Sequence, residues 1–226
     1  KIDTVEAAVG DNLLHKSWIA DLMRINKSFI VKRNEKTKRA MLTASKQLSS
    51  YIHHSLTDKQ QNIWIAQKEG RAKDGIDKTN AALISMLLLN KDKTMSISDY
   101  LMTLNIIPVA ISYEFDPCDN DKAKELAEIQ ATGSYQKHEN EDLKSMTQGV
   151  LGQKGKVHVT FCQQIKGDFD DSKSIAHAID EQIINHYKLY ESNINAYEQL
   201  HNTENPPSLI GQLASRMNDL SIEQQQ

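Results

Sequence analysis

Cysteine is scarce in this chain: Cys118 and Cys162 are the only two among 226 residues, far apart and outside any CxxC pattern. That usage suits a reducing compartment, and with no His or Cys at metal-ligand spacing it argues against structural zinc. Long apolar runs are missing as well. The longest, Ala81–Leu89, is interrupted by Ser85 and falls far short of the ~20 residues of a membrane-spanning helix. No segment reads as a signal peptide. A strong charge of either sign is also lacking; the net value of −3 gives no global attraction to nucleic acid. What is present, 39% hydrophobic and 25% charged residues, describes a globular chain with one large domain or one domain and a helical tail. The chain opens on Lys1 and runs directly into a strand-like segment, so we expect it to begin inside a domain.

Charge is distributed unevenly. From Arg24 to Lys46 eight Lys and Arg stand against the single Glu35, whereas from Asp116 to Asp142 eight acids stand against three Lys. Such runs are mostly solvated faces; the basic one is the candidate for an anionic partner.

Periodicity then sets the expected elements. Thr4–Val9 reads as a short strand, Ser17–Ile25 as a helix, and Phe29–Val31 as a compact strand ending at Lys32 and Arg33. Met41, Ala44, Leu48, Tyr51, Ile52 and Leu56 recur at helical spacing, predicting an amphipathic helix over about Lys36–Leu56. The strand Ile63–Ala66 follows, then a polar loop with Glu69, Gly70 and Arg71, then an apolar helix over Ala81–Leu89. Ser96 is placed to cap a helix over Ser98–Leu104. Ile106–Tyr113 is the most hydrophobic strand candidate, and Pro108 within it marks a strand start or an irregular edge. Lys122–Gln130 and Asp142–Leu151 read as helices, Val157–Phe161 as the last strand, and helices follow around Ile175–Tyr187, Asn193–His201 and Leu209–Leu220.

Strands and helices alternate, and the strands look apolar throughout. The expected fold is therefore α/β, with a mostly parallel central sheet covered by helices on both faces and C-terminal helices. Residues 1–170 are expected to form the core and 171–226 to pack on it or extend from it. Ligands of such sheets bind beyond the carboxyl ends of the strands. Arg33 and the Glu69-Gly70-Arg71 turn both fall there. Two guanidinium forks converging on one place favour an anion, most simply a phosphate. Gly70 would let backbone approach a ligand closely.

The segments FIVKR (Phe29–Arg33), WIAQKEGRAK (Trp64–Lys73) and IIPVAI (Ile106–Ile111) follow the order and spacing of three of the four blocks of the glycerolipid acyltransferases. That family contains the lysophosphatidic acid and glycerol-3-phosphate acyltransferases. GDNLL (Gly10–Leu14), EGRAKDG (Glu69–Gly75) and ISYEFDPCD (Ile111–Asp119) resemble a bacterial branch of it. The likeness runs from about Val5 to Phe161. Lys68 stands where the third block usually has proline, and Arg71 where threonine is common, which leaves the phosphorylated acceptor open.

The resemblance implies a glycerol-phosphate acyltransferase-like fold and an enzyme of phospholipid biosynthesis. A fatty acyl group would pass from an acyl thioester, on acyl carrier protein or coenzyme A, to a hydroxyl of glycerol-3-phosphate or 1-acyl-glycerol-3-phosphate. A histidine would act as general base, so no cofactor, metal, or Ser or Cys nucleophile is needed. Arg33 and Arg71 would clamp the acceptor phosphate, Glu69 would orient an arginine or the loop, Gly70 would admit the ligand, and Pro108 would shape the cleft. Lys32 and Lys73 are secondary candidates for anion contact, better read as solvated lysines. The helix over Ala81–Leu89 is read mainly as core and secondarily as the lining of an acyl groove.

The family's first block, a His and an Asp separated by four residues, has no counterpart ahead of Phe29. His15 and Asp21 have the wrong spacing. His53 and Asp58 have the right one, but lie on the helix between the second and third blocks and read as a chance match. The expectation is that the catalytic pair precedes Lys1 and that this chain alone is inactive. The location implied is cytoplasmic, peripheral on the inner face of the cell membrane, where the basic run would meet anionic headgroups or acyl carrier protein. The alternative is a non-catalytic module binding phosphate or phospholipid. A nucleic-acid scaffold is the less favoured reading, because the basic run lacks interleaved aromatics beyond Phe29.

Overall fold

Parallel pairing organises the N-terminal part of the protein in the computed structural model, which describes residues 4–11, 17–32, 35–70, 72–201 and 214–216. Strand β1 (Glu6–Gly10) lies between β2 (Ser28–Val31) and β3 (Ile63–Trp64), giving the order β2-β1-β3. The register runs from Ala7↔Ser28 to Gly10↔Val31 on one side, with Glu6↔Ile63 and Ala7↔Trp64 on the other. The connections are α1 (Ser17–Ile25) and α2 (Lys38–Thr57), the helical crossovers that parallel strands require. The chain is thus mixed α/β with a small three-stranded parallel sheet.

The single, mostly parallel sheet expected from the sequence is not what forms among the described residues. Strands β4 (Val109–Tyr113) and β5 (Val157–Phe161) pair with each other, antiparallel, from Val109↔Phe161 to Tyr113↔Val157. The reason lies in β5, whose Val-His-Val-Thr-Phe pattern alternates, with Val157, Val159 and Phe161 48%, 47% and 73% exposed. A strand covered on both faces would hide all of its side chains. Pro108 is buried immediately before β4, where it has no N–H to give the ladder, and its carbonyl accepts from Cys162 N at 2.9 Å.

Contacts group the chain into two compact units. The first comprises Lys1–Arg71, Asp77–Pro108 and Cys162–Ile183. Its core is largely helical: Ile52 of α2, Ile84 and Leu87 of α3 (Ala81–Leu87), Tyr100, Leu101 and Leu104 of α4 (Ile97–Leu104), Ile165, and Ile175, Ala176 and Ile179 of α7 (Ser172–His186). Each large aliphatic side chain removed from water there contributes about 1.5–3 kcal/mol. Helix ends are capped as their sequences anticipate. Thr37 accepts from Ala40 N ahead of α2, Asn80 from Ala82 N ahead of α3, and Ser96 from Asp99 N ahead of α4. Buried Ser49 of α2 is fully partnered, donating to Leu87 O and accepting from Asn90 N, each at 3.0 Å. The C-terminal segment after residue 170 therefore supplies core residues through α7.

The second unit comprises Ala72–Ile76, Val109–Phe161 and Ile184–Gln226. It contains the β4–β5 pair with α5 (Asp119–Thr132), α6 (Glu141–Leu151) and α8 (Glu191–His201). Buried Ser112 of β4 accepts from Lys188 N at 2.9 Å, and Ser192 donates to Glu114 O at 2.6 Å. Gly155 (φ +61) makes the turn into β5. A Cβ there would stand 2.6 Å from Glu114 Oε2, so both conformation and space call for glycine. Lys73, read as a possible anion contact, pairs with Glu125 in this unit. Among the described residues no helix is long and apolar enough to cross a membrane.

Candidate functional site

Because β2 and β3 are parallel, both carboxyl ends emerge on the same edge of the sheet, and the residues that follow them meet there. Lys32 follows β2 directly, and Lys68 and Glu69 follow β3 after Ile65, Ala66 and Gln67. All three line a cavity of about 480 Å³ in the first unit. Phe29 lies three residues before Lys32, about 10 Å deeper at the strand rise, and also lines it. Helix α2 contributes Ala44, Ser45, Gln47, Leu48 and Tyr51, and α3 contributes Ala82, Leu83 and Met86 behind Asn80. The cavity therefore has charge at the strand ends and apolar walls away from them.

The deep wall is held by a polar link. The Tyr51 ring packs against Phe29 with centroids 5.1 Å apart and planes tilted by 53°. Its hydroxyl donates to Glu6 Oε2 of β1 at 2.8 Å, and Ser55 donates to the same oxygen at 3.2 Å. Burial, followed by the bond to Glu6, raises the Tyr51 pKa above the usual 10.0. Tyr51 is consequently a neutral, oriented side chain at any physiological pH.

The loop carrying Glu69 and Gly70 is anchored where it leaves and rejoins the first unit. Asn80 N donates to Gln67 O at 2.9 Å, Gln67 Nε2 donates to Asp77 O at 3.1 Å, and Lys68 pairs with Asp77 at 3.0 Å. Thr79 adds two bonds to Asp180 Oδ1, 2.8 Å from its N–H and 2.6 Å from its hydroxyl. Gly70 adopts φ +78 with open space around its missing Cβ. Its observed requirement is the left-handed turn, rather than close approach of a neighbour.

Of the residues singled out in the sequence, Glu69 lines the cavity and Gly70 makes the turn beside it. Arg33 and Arg71 lie outside the described residues. Pro108 is buried at the start of β4 and is not part of the cavity lining. Lys32, read as solvated, is 61% exposed and lies 3.9 Å from Glu35, and it also lines the cavity. The apolar helix after the loop divides its faces: Ile84 and Leu87 enter the core, whereas Ala82, Leu83 and Met86 line the cavity. Tyr51 was legible only as part of the apolar stripe of α2.

The His53–Asp58 spacing match has no catalytic geometry. Asp58 Oδ2 lies 2.6 Å from Nδ1 of His54, the neighbouring histidine, and that bond leads the causes lowering its pKa below 3.8. His53 instead stacks on buried Tyr100, with Nδ1 3.3 Å from the phenolic oxygen. Among the described residues no histidine lines the cavity, and no group of three or more His, Cys, Asp or Glu is arranged to hold a metal ion.

Comparison with family models, with curated proteins and with solved structures returned no match.

Proposed function

We propose that the cavity binds a phosphate-headed amphiphile and that the protein belongs to acyl transfer between an acyl thioester and a glycerol phosphate, on a glycerol-phosphate acyltransferase-like fold. The observation that carries this reading is the polarity gradient of the cavity: Lys32 and Lys68 at the strand ends, and Phe29, Leu48, Leu83 and Met86 along the walls. A phosphate meets ammonium groups at one end and a hydrocarbon chain loses water contact at the other. Arg33 and Arg71, adjacent in sequence to Lys32 and Gly70, complete the anion clamp in this proposal. Glu69, an acceptor only when ionised, orients a cationic side chain rather than the phosphate. The acyl donor is the thioester of coenzyme A or acyl carrier protein, and attack by the acceptor hydroxyl needs a general base but no cofactor. Work on lipid substrates would put the protein at the cytoplasmic face of a membrane, with the basic Arg24–Lys46 run toward anionic headgroups.

The second reading, a phosphate- or phospholipid-binding module without catalysis, is favoured by the lack of a histidine in the described cavity lining. One experiment separates the two. The intact protein is incubated with acyl-CoA or acyl carrier protein thioester and glycerol-3-phosphate while free thiol is followed, and binding of 1-acyl-glycerol-3-phosphate is measured in parallel. Acceptor-dependent thiol release supports the transferase. Binding without release supports the module. Neither binding nor release overturns the proposal. Ala82→Phe, which fills the cavity from α3, is expected to abolish binding of the acylated ligand.

A further inference from the structure

The outer edge of β5 points to a second role, independent of the cavity. Ladder bonds join Cys162 N to Pro108 O and Glu114 N to Lys156 O, both at 2.9 Å. Alternation along an antiparallel pair therefore turns the backbone N–H and C=O groups of Val157, Val159 and Phe161 away from β4. Among the described residues no strand pairs with that edge. The same three side chains share one face with Val109, Ile111 and Tyr113, their cross-strand neighbours.

Natural edge strands usually carry a lysine, a proline or a bulge that discourages pairing. Val-His-Val-Thr-Phe has none of these within its five residues; Lys154 and Lys156 stand just outside one end.

We propose that this edge pairs with β5 of a second copy of the chain, antiparallel and centred on Val159, to form a four-stranded sheet. In this register Val157 lies opposite Phe161 of the second copy, a β-branched–aromatic pair, and Val159 lies opposite itself. Charge selects the direction. Parallel pairing would align the lysines of the two copies, whereas antiparallel pairing puts them at opposite ends of the seam. Area sets the strength. Side chains stand on the face of a sheet, so edge pairing covers only part of the roughly 600 Å² that Val157, Val159 and Phe161 expose over two copies. That is below the roughly 1,000 Å² of a stable specific interface. The product is a weak, concentration-dependent dimer.

Sedimentation velocity of the chain across micromolar concentrations tests this, with folding of each variant checked by circular dichroism. Wild type is expected to shift from monomer to dimer as concentration rises. Val159→Pro removes an outward N–H that the internal ladder does not use, and Phe161→Lys supplies the missing edge charge. Each is expected to weaken self-association by about tenfold or more. Val159→Cys is expected to be captured as a covalent dimer by a short bis-maleimide, because residues facing each other across the two-fold seam have Cβ atoms about 5 Å apart. A wild-type monomer at every concentration overturns the proposal. So does a dimer unaffected by both edge variants, or a Val159→Cys chain that stays uncrosslinked while the wild type dimerises.

Discussion

Tyr51 donates its phenolic hydrogen to Glu6 Oε2 at 2.8 Å, tying the wall of the cavity on α2 to the central strand of the parallel sheet. Ser55, fully buried, relies on the same carboxylate oxygen at 3.2 Å. Glu6→Ala would strand both hydroxyls, and we expect it to lower unfolding free energy by about 1–3 kcal/mol. Tyr51→Phe, which removes only one donor, should cost about 1 kcal/mol. Denaturant melts of the two variants check the order. Because the Tyr51 pKa is raised in the folded state, its contribution is complete below pH 10.0 and fades as pH rises through the folded value. Alkaline destabilisation beginning above pH 10.0 and reduced in Tyr51→Phe is the expected signature.

Gly70 turns the loop at φ +78, and the place a Cβ would occupy has nothing within 4 Å. Gly70→Ala therefore meets backbone strain and no clash, and should cost about 1–2 kcal/mol. Gly70→Asn should cost less, since asparagine tolerates the left-handed region. Thermal melts check this, and the opposite ranking of the two variants would overturn the conformational reading.

If Arg33 and Arg71 clamp a phosphate, replacing either with alanine in the intact protein removes charge-assisted bonds each worth about 1.5–3 kcal/mol, raising the acceptor KM or Kd by about 10–100-fold. Lys32→Ala and Lys68→Ala should have smaller effects, because each lysine already has an acidic partner, Glu35 at 3.9 Å and Asp77 at 3.0 Å. Glu69→Gln should reduce activity or binding with an unchanged melting temperature. Titration with 1-acyl-glycerol-3-phosphate measures all five, and an unchanged affinity in both arginine variants removes the clamp.

In the second unit, Tyr135 donates to Glu141 Oε2 at 2.7 Å, and that bond is the largest cause raising its pKa from 10.0 to about 12. Ultraviolet titration should show one phenol ionising near pH 12 that moves back toward 10.0 in Glu141→Gln. The stabilisation it carries is complete below pH 10.0 and is lost as pH rises through about 12.

Much of this protein was legible along the chain. The helix α1 begins and ends at the residues its apolar spacing marks, Ser96 caps α4, and Pro108 stands at a strand start, because helical and strand periods and cap chemistry are local properties. The strand carboxyl ends that carry Lys32 and Glu69 followed from the same reading. Tertiary structure alone decided the rest. It paired β4 with β5 instead of adding them to the parallel sheet, divided the apolar helix after the loop between core and cavity, turned Asp58 to His54 rather than His53, and joined Tyr51 to Glu6 across the sequence. A hydrophobic period says that a face is covered, but not by what. The partner of a strand edge or a buried hydroxyl is set by where distant segments come to rest, and that is a property of the packed molecule.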